Sequence, residues 1–157
     1  MKNYRFKSIV ITIALLITFI ACAKKSDPSK VPPSKNNETA VSKNLPDTHI
    51  VVYYFLTNQR CRSCIYLENT TKASLDQNFA DELKKGNIVF KAVNIDEPQN
   101  KHFIDEYGLF TKSVIVSSME KGVQKKWKNL DKIWDLIGQD DVFKAYITSE
   151  LRTFIKS

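Results

Sequence analysis

Residues 50–64 read IVVYYFLTNQRCRSC, an apolar run followed by a short polar loop and two cysteines three apart. Ile50-Val51-Val52-Tyr53-Tyr54-Phe55-Leu56 is a continuous run of β-branched, aromatic and aliphatic side chains. Such a run has no polar alternate to turn toward water, so it predicts a strand covered on both faces. Thr57-Asn58-Gln59-Arg60 then makes a loop. Cys61 opens a long helical stretch to Lys85, in which Leu75, Phe79 and Leu83 recur every four residues as one buried stripe. Gly86 ends it. Cys61-Arg62-Ser63-Cys64 therefore sits where a buried strand hands over to a helix. A helix N-terminus carries unpaired N–H groups and about half a positive charge, which favours a thiolate over a thiol. Arg60 and Arg62 add positive charge beside Cys61. Both effects are expected to lower the Cys61 pKa below the ~8.5 of a free thiol and make Cys61 the nucleophile. Cys64, one turn on and further inside, is the expected resolving thiol.

Beyond this stretch, Ile88 to Ile95 predicts a second strand. Asp96-Glu97-Pro98 turns into a short helix with Phe103, Ile104 and Tyr107 on one side, closed by Gly108. Ser113 to Ser118 predicts a third strand, Met119 to Gly122 a turn, and Val123 to Lys128 a fourth, antiparallel strand. Leu130, Ile133, Trp134 and Ile137 suggest a short helix ending at Gly138. Phe143, Ile147, Leu151 and Phe154 make an amphipathic C-terminal helix. The expected order is β-α-β-α-β-β-α with one extra helical turn, and no internal repeat is visible.

This order, with CxxC opening the first helix, a strand ending Val93-Asn94-Ile95-Asp96 and a short helix ending Tyr107-Gly108, resembles thioredoxin over residues 48–157. The resemblance implies an α/β thioredoxin-like fold, a central mixed β-sheet flanked by helices. It also implies thiol–disulfide oxidoreductase activity through a redox-active Cys61/Cys64 pair and a mixed disulfide, with no cofactor beyond that disulfide. Three departures are visible. Arg60 stands where thioredoxins have Trp, and Arg62-Ser63 replaces their Gly-Pro. Phe55, six residues before Cys61, occupies the place of their buried acid. Their cis-proline facing the cysteines falls near Ser113 in Thr111-Lys112-Ser113-Val114, and no proline follows Pro98. A cis bond without proline costs about 2.5–4 kcal/mol, so the Lys112–Ser113 peptide is expected to be trans. Arg60, Arg62, Ser63, Lys112 and Ser113 are accordingly the residues expected to modulate the site. The pattern fits a specialised exported relative better than a housekeeping thioredoxin.

Export is read from the first 22 residues. Lys2, Arg5 and Lys7 form a positive leader, and Ser8 to Ala21 is an uncharged, mostly apolar run. That run suits a signal segment and falls short of the ~20 residues needed to span a bilayer. It ends in Ala21-Cys22, which resembles the lipobox of bacterial lipoproteins and implies cleavage before Cys22 and a lipid on its sulfur. An ordinary signal peptide or an uncleaved N-terminal anchor are the alternatives. With Cys22 lipidated, the chain's three cysteines leave one pair, Cys61 and Cys64. Residues 23–46 hold Pro28, Pro32, Pro33 and Pro46 among Ser, Lys and Asn, without apolar periodicity, and predict a disordered tether. Residues 47–157 are the expected folded domain. The implied location is the bacterial cell envelope, with membrane attachment through Cys22. The expected partners are protein thiols and disulfides there and a membrane-embedded thiol redox protein, and the domain is expected to be a monomer.

The formal charge of +7 points elsewhere only until it is located. Residues 47–157 carry 16 basic and 15 acidic groups, so the excess belongs to the leader and tether. No basic stripe interleaved with aromatics is present, and a nucleic-acid partner is not expected. Three other readings of the cysteines compete. A structural staple across CxxC closes too short a loop to stabilise much. A metal-binding or metal-trafficking role would need His49 and His102 to join the cysteines, and each reads as a surface residue, so no metal is expected. A redox-inactive binding module would keep the fold and have inert thiols. Trp127 and Trp134 read as core or half-buried packing, and Lys125, Lys126 and Lys128 as a solvated edge.

Overall fold

A computed structural model describes residues 45–157. The signal segment 1–22, its Cys22 and residues 23–44 of the expected tether lie outside the described residues. Leu45 and Pro46, assigned to the end of that tether, lie half-buried, and both approach the site of an added Cβ at Gly86 to 3.3 Å.

The elements follow in the order β1 (Thr48–Leu56), α1 (Arg62–Asn78), α2 (Ala80–Lys85), β2 (Ile88–Asn94), a 3₁₀ turn at Pro98–Asn100, α3 (His102–Tyr107), β3 (Ser113–Glu120), β4 (Val123–Asn129), a 3₁₀ turn at Asp131–Trp134 and α4 (Asp140–Lys156). The sheet order is β2-β1-β3-β4. β1 and β2 run parallel, as their helical crossover requires, and β3 and β4 are antiparallel additions. This is a mixed sheet flanked by helices, the α/β thioredoxin-like fold.

β1 is central and is covered on both faces, as its unbroken apolar run demands. Val52 and Tyr54 pack with Leu67 and Leu75 of α1 and Phe143, Ile147 and Leu151 of α4. Val51, Tyr53 and Phe55 pack on the opposite side with Ile95, Tyr107 and Ile115. The four apolar positions read as the inner face of the last helix, Phe143, Ile147, Leu151 and Phe154, are its buried residues.

The structure corrects the sequence reading at several places. The stretch from Cys61 to Lys85 is not one helix, for it breaks at Phe79, whose φ and ψ are −139° and 29°. Two side chains bond to the backbone of the last turns: Ser74 Oγ donates to Thr70 O at 2.6 Å, and Asn78 Nδ2 donates to Ser74 O at 3.0 Å. Such bonds compete with the helix's own ladder and weaken its last turn. Phe79 nevertheless buries its ring, and Leu83 still packs on the same cluster. β3 continues to Glu120 because Met119 and Glu120 keep pairing with His49 and Thr48. The turn is then only Lys121-Gly122, both at positive φ (50° and 77°), as a tight hairpin needs. The helix expected at Leu130 to Gly138 is a single 3₁₀ turn, with Leu130 and Ile133 buried. The lysines of β4 are not all solvated: Lys126 Nζ donates to Phe154 O at 2.9 Å, and Lys128 pairs with Glu150, tying the edge strand to α4. No helix among the described residues is long and apolar enough to cross a membrane.

Candidate redox site

The chain leaves β1 through Thr57-Asn58-Gln59-Arg60, and the end of β2 fixes that loop. Asn58 N–H donates to Asp96 Oδ2 at 2.7 Å, and Asn94 Nδ2 donates to Asn58 Oδ1 at 2.8 Å. Cys61 follows as the N-cap of α1 in extended backbone, φ −101° and ψ 167°. Its Sγ accepts from Cys64 N–H at 3.1 Å, so a sulfur takes the place usually filled by a hydroxyl or carboxylate oxygen. Cys61 and Cys64 form a disulfide. Cys61 is exposed whereas Cys64 is 1% exposed. The first cysteine is thus exposed and the second buried. The first turn of α1 holds no acidic residue, so within that turn the N–H groups and the helix dipole act on Cys61 unopposed.

Tyr54 is the residue that the sequence reading missed. Its hydroxyl donates to Cys64 O at 2.7 Å in the buried interior under α1. Burial pushes its pKa up to about 12, with Glu68 adding to the rise and Arg60 opposing it, so the phenol remains a neutral donor at ordinary pH. Phe55, aligned with the buried acid of thioredoxins, instead points to the far side of the sheet. There it contacts Tyr53, Phe103 and Tyr107 at ring-centroid distances of 5.4, 5.2 and 5.5 Å. The neighbour that meets Cys64 is therefore at position 54.

The residues expected to modulate the site fall into two groups. Arg60 and Glu68 form an ion pair, while Arg62 is exposed and Ser63 half-buried beside the disulfide. Ser113 is buried at the start of β3, paired with Phe55 near the end of β1 from which the cysteine loop departs. Its Oγ donates to Thr111 O at 2.9 Å. Lys112 O accepts from Trp134 Nε1 at 3.0 Å, so Trp134 braces this loop. No peptide bond among the described residues is cis, so Lys112–Ser113 is trans. Neither Lys112 nor Ser113 has a hydrogen bond to a cysteine among the described residues. Trp127 is 42% exposed and sets its edge against Tyr107 at 5.2 Å.

His49 and His102 each place Nδ1 2.9 Å from a backbone oxygen three residues away, Pro46 O and Gln99 O respectively. Among the described residues no three or more His, Cys, Asp or Glu side chains gather where they could hold a metal ion.

No family model matches the chain, and no curated protein matches it. Among solved structures it is similar to human ERp44 in a zinc-bound form, at 15% identity over 68% of this chain and 27% of that one, with a TM-score of 0.46. A mutant thioredoxin from Halobacterium salinarum is similar at 18% identity over 64% of this chain and 77% of its own, TM-score 0.37. A thioredoxin from Fasciola hepatica is similar at 15% identity over 62% and 81%, TM-score 0.35. The fold assignment rests on the strand order and connections described above. The described residues have a thioredoxin-like fold with a cysteine pair at the N-terminus of the first helix, an arrangement suited to thiol–disulfide redox chemistry.

Proposed function

We propose that the protein is an exported thiol–disulfide oxidoreductase of the bacterial cell envelope, lipid-anchored through Cys22. The observation that carries the redox reading is the asymmetry of the disulfide: an exposed Cys61 capping the helix N-terminus and bonded to a buried Cys64. In the reducing direction the Cys61 thiolate attacks a substrate disulfide and expels one substrate thiolate, which takes a proton from solvent. Cys64, losing its proton, then attacks Cys61 Sγ in the mixed disulfide and expels the second substrate thiolate. The substrate gains two electrons and the Cys61–Cys64 bond re-forms. The oxidising direction is the reverse, begun by a substrate thiolate on Cys61 Sγ. A membrane-embedded thiol protein resets the pair, and no prosthetic group takes part. Export rests on the leader sequence and the lipobox-like Ala21-Cys22.

Trapping tests the reading. A Cys64→Ser variant cannot resolve its mixed disulfide, so reductant-sensitive covalent adducts accumulate in the envelope fraction and vanish when Cys61→Ser is added. Non-covalent complexes alone, unchanged by reductant, would instead identify a redox-inactive binding module.

A further inference from the structure

Arg60 and Arg62 flank Cys61 in sequence, but the structure gives them different partners. Arg62 is exposed and makes no ion pair among the described residues. Arg60 donates through Nη2 to Glu68 Oε2, and the two side chains are 36% and 21% exposed, so the pair is partly shielded from water. Glu68 is seven residues past Cys61. At about 3.6 residues per turn, Glu68 lies nearly two turns into α1, whose N-cap is Cys61. Helical side chains lean toward the N-terminus, so the Glu68 carboxylate reaches back toward the cysteine turn. There it meets Arg60, which precedes the helix. The field of this pair is felt under the site. Arg60 and Glu68 act with opposite sign on the buried Tyr54 phenol, whose hydroxyl donates to Cys64 O.

We propose, on the reading of Cys61 as the exchanging thiol, that Glu68 is a positioning residue that limits how much thiolate Cys61 carries by holding the Arg60 guanidinium away from it. In the disulfide form Cys61 is uncharged and Glu68 is the anion paired with Arg60. Reduction by a dithiol gives the pair two electrons and two protons, and the dithiol becomes a disulfide. When the Cys61 thiol releases its proton to solvent, a second anion stands beside the same cation. Arg60 is then divided between carboxylate and thiolate. The other charged groups beside this loop are Arg62 on the same turn and Asp96, just past β2, which accepts from Asn58 N–H. Tyr54 faces it from β1 as a neutral phenol. None of these has a hydrogen bond or ion pair with Arg60 among the described residues.

The test is the pH profile of Cys61 alkylation by iodoacetamide in the reduced full chain, mapped by peptide mass, for wild type, Glu68→Gln, Arg60→Gln and the double variant. Glu68→Gln is expected to move the midpoint down by about half a unit, a threefold gain in thiolate below the midpoint. In the Arg60→Gln background the same change should move it less than half as far. Equal shifts in the two backgrounds would overturn the proposal, since Glu68 would then act only through its own charge, and no shift in either would overturn it equally. Both positions are partly exposed, and thermal unfolding of each variant verifies that it is folded. The readout counts thiolate, not exchange. A protein that behaves as expected here yet forms no mixed disulfide would sink the oxidoreductase reading and leave this inference standing.

Discussion

β1 presents its two faces to two different interiors. On one face Tyr53 and Phe55 join Phe103 and Tyr107 in an aromatic cluster covered by the short α3. On the other, Val52 and Tyr54 meet α1 and α4, and the Tyr54 hydroxyl reaches the backbone of Cys64. Adjacent residues on one strand thus serve different ends, because successive side chains point to opposite faces. The aromatic face supplies burial, and the helical face also positions the sulfurs. Stability and reactivity should therefore separate along the strand.

The largest expected effect falls on the aromatic face. Phe55→Ala removes a fully buried ring and should cost about 3–5 kcal/mol in urea unfolding. The rate of Cys61 alkylation in the folded protein should stay as in wild type. A large change in that rate would break the division between faces. Tyr54→Phe should do the opposite, costing only about 1 kcal/mol in stability while altering the relative labelling of Cys64. If that variant is silent in both assays, Tyr54 is packing and nothing more.

Alkaline titration sharpens the same comparison. Tyr54 has its pKa raised from 10.0 to about 12, chiefly by burial. The unfolded chain therefore loses the proton first as pH rises. The contribution of Tyr54 is complete below pH 10.0 and is lost between 10.0 and about 12. Tyr53 and Tyr146 are raised in the same direction, also mainly by burial, so the loss is collective. Tyr54→Phe should flatten the fall of stability with pH over that window, measured by urea unfolding from pH 9 upward. An unchanged slope would mean that the phenol is already ionised, or solvated, in the folded state.

The smallest expected effect concerns the loop before β3. Trp134→Phe removes the donor to Lys112 O and should cost about 1 kcal/mol. Faster amide hydrogen exchange confined to residues 111–113 would identify Trp134 as the brace; uniform protection would not.

The sequence carried most of this organisation in its periodicities. The run from Ile50 to Leu56 announced a doubly covered strand, and Phe143, Ile147, Leu151 and Phe154 announced the inner face of α4. It carried the site only in part. CxxC at a strand-to-helix junction marked the sulfurs, but a run apolar on both faces does not say which alternate set faces α1. Tyr54 consequently reads only as one residue of the central strand, although a buried tyrosine needs a partner for its hydroxyl. Spacing also misled at Phe79, because a four-residue repeat survives a local break when the next segment keeps its direction. Arg60 and Glu68 lie eight apart, and their pairing depends on where the loop leaves Arg60 before the helix begins, which no periodicity encodes.

The central claim is that Cys61–Cys64 is a working redox couple and not a staple. Equilibrating the protein with a graded thiol–disulfide buffer and counting free thiols by mass gives the reduction potential directly. A reversible two-electron couple between about −270 and −120 mV is expected, the span of exchange-active pairs. A potential below about −300 mV, where structural disulfides lie, would contradict it.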